Sequence, residues 1–207
     1  MIRQSVSLGP IFLGLVAGLA WAGPAAAQAP VADALAGPLV PGVCVLSREA
    51  VFANAKVGLA ASARLQELSK QAQAEIDAER APIEADIKAL EAQKASLSQA
   101  QLDERGKPLA ARWEGLQRKA SLRAREIEAT RTKAFGRVAI EAQPVIAQVY
   151  ASRKCGMLFA REAMLGGNPG ADLTAAVVQG LDAKITTIAF SRESLPAEGA
   201  ATAPKAR

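Results

Sequence analysis

The sequence predicts a mostly helical α+β protein, with a small β-sheet body from which a long antiparallel coiled-coil hairpin of two α-helices projects. Three observations carry that expectation. Two long stretches repeat apolar residues at steps of three, four and seven. A turn-prone segment separates them, and short β-prone runs flank the pair. The composition agrees: with 4% aromatic residues and an alanine-dominated hydrophobic fraction of 50%, the chain cannot fill a large globular core with bulky side chains. Alanine does propagate helix well. A length of 207 residues leaves room for one ordinary domain, or a small body plus one long extension.

Residues 1–27 read as a cleaved leader. Arg3 supplies a positive start, Ile11 to Trp21 an apolar run, and Ala25-Ala26-Ala27 the small-x-small pattern before a cut near Ala27. The competing reading is a membrane anchor. The run is short for that, since a spanning helix needs about 20 apolar residues, and no basic cluster follows it. The mature chain is therefore expected outside the cytoplasm. Residues 28–41, rich in Ala, Pro and Gly, read as a flexible lead-in.

The main domain is expected over 42–190, with its body at 42–58 and 150–190 and the helical hairpin at 59–149. Val43 to Leu46 is a short β-prone run bounded by Pro41-Gly42 and Ser47. The outgoing arm carries Leu65, Leu68, Ala72, Ile76, Ile83, Ile87, Leu90 and Leu97 on one stripe. Pro82 falls inside it and predicts a bend near Arg80–Pro82, not an end, because the stripe resumes in phase at Ile83. Gly106 and Pro108 place the tip near 98–108. The returning arm repeats the pattern at Leu109, Trp113, Leu116, Ala120, Ile127, Ala134, Val138, Val145 and Val149. Arms of about forty residues would reach roughly 60 Å.

Charge supports the pairing. Between Arg64 and Glu104 five basic residues meet nine acidic ones, leaving −4; between Arg105 and Arg137 ten basic residues meet three acidic ones, leaving +7. Opposite charge on antiparallel neighbours favours folding back over parallel self-association of one arm. Beyond the hairpin, Lys154 to Ala160 reads as a strand and Ala163-Met164-Leu165 as a shorter one. Asn168-Pro169-Gly170 reads as a turn, and Asp172 or Thr174 can cap a short helix carrying Val177, Val178 and Leu181. Ile185 to Phe190 is a last β-prone run, and 191–207 reads as a disordered tail.

Several function classes drop out. The chain contains no histidine, which removes Ser-His-Asp triads, Cys-His dyads and histidine-ligated metals. There is no Gly-rich phosphate loop and no Ser-x-x-Lys motif, so neither catalysis nor a cofactor is expected. A net charge of +5 is too small to argue for nucleic acid. Cys44 and Cys155 flank the hairpin, which would bring them close. In an oxidising compartment two cysteines often pair, and the alternative is a pair of small buried apolar residues.

The blocks GVCVLSREAVFANAKVGLAASARLQEL and VIAQVYASRKCGMLFAREAMLGGNPGADLTAAVVQGLDAKI, with the long helical repeat between them, resemble the OmpH/Skp family of periplasmic chaperones. The resemblance covers about 42–186. The terminal blocks carry it, whereas the arms match only in character. It implies a periplasmic homotrimer whose strands form a body and whose three hairpins enclose a cavity, holding unfolded outer-membrane proteins without ATP. The cysteine pair, the run at 185–190 and the tail are additions to that pattern. On this reading Arg112, Arg118, Lys119, Arg123, Arg125 and Arg131 form a candidate client-facing basic arm, although a solvated helix face is the plainer account of each. An anionic membrane surface or lipopolysaccharide is a further candidate partner. Leu46, Val51, Phe52, Leu158 and Phe159 are expected to build the body and its trimer contacts. Trp113 is expected to pack between arms rather than meet clients. The competing function is a structural adaptor of the cell envelope that docks its coiled-coil hairpin on a folded partner.

Overall fold

The computed structural model describes residues 35–196. The expected leader, the start of the lead-in and the last eleven residues lie outside the described residues. In chain order come strand β1 (Val43–Leu46), helices α1 (Arg48–Asn54), α2 (Lys56–Gln93) and α3 (Gln99–Ser152), strand β2 (Met157–Ala160) and helix α4 (Thr174–Lys184).

The base of the molecule closes where β1 pairs in parallel with β2, from Val43 opposite Met157 to Leu46 opposite Ala160. Gly42 makes the approach work. Its backbone sits at φ 79°, a region that L side chains avoid, and its carbonyl accepts from both Gly156 and Met157 N–H. A disulfide joins Cys44 to Cys155 with the Cα atoms 5.8 Å apart. Cys44, Leu46, Val51, Ala55 and Val57 pack against Val138, Ala142 and Val145 of α3, Leu173 just before α4, and Val177 and Leu181 of α4. This is the main core, and it sits at the hairpin's root.

Ser47 ties the body together. Its hydroxyl accepts from Ala50 N–H to start α1 and donates to the Glu162 carboxylate, while its N–H donates to Thr174 Oγ1 at 3.0 Å. Asp172 accepts from Thr174 N–H at 2.8 Å, so of the two proposed capping residues Asp172 makes the bond, while Thr174 is the first residue of α4 and its hydroxyl accepts from Ser47. Between α1 and α2 the chain breaks at Ala55 (ψ 142°) and the helices meet closely. A Cβ placed on Gly58 would lie 1.8 Å from the Phe52 carbonyl oxygen.

The helix α2 has 38 residues and runs through Pro82 without ending; α3 has 54. Their lengths are about 57 and 80 Å. The tip corrects the sequence reading. The turn occupies Lys94–Ser98, and α3 passes uninterrupted through Gly106 and Pro108. The start is fixed instead by a capping box, in which Ser98 and Gln101 satisfy each other's backbone N–H groups. Gly and Pro weaken a helix locally by about 1 and 3 kcal/mol. Here Leu102 and Leu109 on either side are half-buried, and Leu109 faces Ile87 and Leu90 of α2 across a cleft.

Three further expectations change. The second strand is shorter than 154–160, because α3 ends in a Schellman turn with Lys154 left-handed (φ 54°), Lys154 N–H bonding Ala151 O and Cys155 N–H bonding Tyr150 O. Ala163-Met164-Leu165 is not a strand: β1 offers no partner beyond Leu46, and Arg161–Ala163 form a 3₁₀ turn. The run at 185–190 bends at Thr186 and forms no strand; it lies along α3, where Arg137 Nη1 donates to Ala189 O at 2.9 Å. The part of the tail described, Ser191–Pro196, is held against the hairpin by Arg192, Glu193 and Leu195.

Gly58→Ala is expected to lower the denaturant midpoint, costing about 1–3 kcal/mol for overpacking at the α1–α2 junction. Lys154→Gly is expected to do the reverse, gaining about 0.5–1 kcal/mol by relieving a left-handed side-chain residue. Chemical denaturation of both variants beside the parent protein checks the two signs.

Candidate functional site

The hairpin is the surface large enough to act on another molecule, and its charges first act on each other. Arg105 donates to Gln93 (2.9 Å), Arg112 to Asp86 (2.6 Å), Lys119 to Glu79, and Arg123 to Glu75 (2.8 Å). In every pair the two residue numbers add to 198, and the steps along α3 are seven, seven and four. One antiparallel register therefore holds over five turns of helix. Such pairs contribute only about 0.2–1 kcal/mol each, so they choose the register more than they stabilise it. The apolar content lies between them: Ile76, Ile83 and Leu116 are buried, with Ile87, Trp113 and Ala120 packed against them.

Of the six basic residues assigned to a client-facing arm, Arg112, Lys119 and Arg123 thus reach across to α2. Arg118 lies 3.8 Å from Glu114 on its own helix and is exposed. Arg131 is exposed near Phe52 and Phe135, and Arg125 is half-buried. The structure does not gather the six into one outward patch. Nearer the tip, Ile87, Leu90, Leu109 and Trp113 line a cleft of about 620 Å³ between the arms.

Among the five body residues, Leu46 and Val51 lie within the chain's own core and Phe52 is half-buried against it. Leu158 and Phe159 of β2 are exposed, as is their neighbour Met157. The strand therefore presents apolar side chains to solvent; the far edge of β1 is bridged at Val45 to Asp172, whereas β2 has no second strand partner among the described residues.

Sequence reasoning missed a polar cluster midway up the hairpin. Glu126 and Thr130 are buried, 3% and 1% exposed, in line with Ala134, Val138 and Ala142 at four-residue steps. Glu126 pairs with Arg123 at 2.8 Å and Arg192 at 3.4 Å, and Arg192 also reaches Glu75 at 3.0 Å. The four-residue spacing was visible, but a search for apolar stripes passes over Glu and Thr. The hydrogen bonds from Arg192 and then Arg123 hold the Glu75 carboxyl below its ordinary value, and Glu126 above all raises the Arg123 guanidinium. Because Glu75 is depressed in the folded state, its stabilisation is complete above the unfolded value and fades as pH falls through the lower folded one. Glu75→Gln is accordingly expected to shrink the loss of stability below the ordinary carboxylate value of 4.5, checked by thermal melts across that range.

The comparisons with known proteins agree with this geometry. The family model for outer membrane protein (OmpH-like) matches residues 42–181. A crystal structure from Caulobacter crescentus CB15, assigned as an OmpH-like outer membrane chaperone, is 42% identical with a TM-score of 0.69, covering 77% of this chain and 95% of that one. Among curated proteins none matches significantly. The matched region begins just before β1 and ends within α4, so it takes in both strands and the whole hairpin, and the chain belongs to the OmpH-like family.

Proposed function

We propose that this protein is an ATP-independent holdase of the periplasm, which keeps unfolded outer-membrane proteins in a cavity between the hairpins of a homotrimer. Membership of a family of outer membrane chaperones supports the role in general. One observation carries the finer reading. Two helices of 38 and 54 residues project from a small body whose strand β2 exposes Met157, Leu158 and Phe159. Apolar strand residues of that kind are stable when another copy covers them. Three copies joined there would carry three rods around a common space.

The rods suit holding without trapping. Their bulky seam residues face one another, so alanine, methylene and charged groups make up most of the outer surface. Contacts of that sort are shallow and individually weak, and many together hold a client while each stays reversible. No bond is made or broken in this scheme, and it assigns the protein no chemical step. The adaptor alternative needs a substantial split β-domain at the hairpin's root. The described residues supply two strands of four residues each.

The disulfide belongs to the same proposal. Joining residues 111 apart, it would contribute about 4–5 kcal/mol by the chain-entropy estimate, provided it is oxidised in the compartment. Unreduced, denatured protein is expected to resist thiol labelling; full labelling at both cysteines would refute the pairing. Light scattering of the mature protein is expected to give three times the protomer mass. Phe159→Asp is expected to yield monomers with unchanged helical content. The decisive measurement is aggregation of an unfolded porin diluted from denaturant. Suppression at about one trimer per porin, without nucleotide, supports the holdase, and no suppression overturns it.

A further inference from the structure

We infer that residues 185–196 form a built-in strap that clamps the lower half of the hairpin and divides each arm into a stiff base and a compliant upper section. The segment lies beyond the part of the chain that the family model matches, which stops at residue 181. After α4 ends at Lys184 the chain turns extended at Ile185 and bends at Thr186, and Ile185 and Ile188 pack on the body core. It then climbs α3 turn by turn. Arg137 donates to Ala189 O, Lys133 pairs with Glu193 at 2.9 Å, and Glu193 N–H donates to Thr130 Oγ1 at 2.8 Å. Leu195 N–H reaches Glu126 Oε1 at 3.3 Å.

The strap engages both arms. Arg192 contacts Glu126 on α3 and Glu75 on α2, while Arg123 of α3 bridges the same two carboxylates. Two guanidinium groups and two carboxylates thus form one network across the seam. A tail resting on the surface by chance would touch exposed charges. This one lies over Glu126 and Thr130, which are buried. Taking a carboxylate out of water is costly unless donors surround it. Glu126 receives them from Arg123, Arg192 and the Leu195 amide, so strap and arm are polar complements.

Among the described residues, no strap residue makes a polar contact with the arms above this level. The upper section depends on Ile76, Ile83, Leu116 and their half-buried neighbours, beside the open cleft of Leu90, Leu109 and Trp113. Sparse packing of that kind opens more readily than a core. The boundary between stiff and compliant sections falls at Glu75 and Glu126.

Hydrogen exchange read by mass spectrometry on the intact mature protein tests the division, with three companions. One chain ends after Phe190, keeping Ile185 and Ile188 in the core but losing Arg192 to Leu195. One ends after Pro196 and keeps the whole strap. The third is full-length Arg192→Gln. Exchange across Leu68–Glu75 and Glu126–Val138 is expected to rise about tenfold in the first and several-fold in the third, and to stay unchanged in the second. The tip (Ile83–Leu116) and the body strand (Val43–Leu46) are expected to exchange as in the parent. Unchanged exchange in the lower arms of the first chain would overturn the strap. So would a rise of equal size in body, lower arms and tip, which is general destabilisation. The readout involves no client, so it separates from failure of the holdase reading.

Discussion

The antiparallel seam between α2 and α3 works at one register, and the placing of every other part follows from it. A slip of one residue would rotate a stripe of Ile and Leu away from its partner by about 100°, since 3.6 residues make a turn. Apolar contact alone resists such slips poorly where alanine is plentiful, because alanine fits against alanine almost anywhere. The polar pairs supply the discrimination. Arg112 with Asp86 and Lys119 with Glu79 fit only when the offset is right, and a wrong offset places basic residues beside gaps or one another. With the register held, α3 ends at the root, and β2 meets β1 with Met157 opposite Val43.

How much of this was legible follows from what kind of signal each part leaves in a chain. The two arms were readable because a stripe of Leu68, Ala72, Ile76 and Ile83 repeats through nothing but helix. The body strands were readable as short β-prone runs, and the opposing arm charges foretold which neighbours would pair. The tip was misplaced because glycine and proline are usually breakers, whereas Ser98 and Gln101 carry a start signal through side-chain bonds. The run at 185–190 looked like a strand because its residue types favour extension, and residue types cannot say whether an extended chain meets a strand or a helix.

The candidate site was less legible than the fold. A count of basic residues on one arm cannot tell whether they face outward or across, and Arg112, Lys119 and Arg123 face across. The opposite charge that correctly predicted folding back is the same charge that withdraws those residues from a client. What remains outward is a surface of mixed sign with small side chains. Such a surface suits the weak, reversible contacts that the proposed holding of unfolded chains requires.

The parallel pairing of β1 with β2 also sets an order of events. Strand β1 and Cys44 are made first, and their partners follow more than a hundred residues later. Helices of this length gather their bonds locally and quickly, while joining distant strands must first overcome the entropy of closing the loop. Until the chain has passed α3, the first strand lacks β2 and Cys44 lacks Cys155. The arms are thus scaffolding for their own foundation: the part that anchors the molecule is the last part able to form.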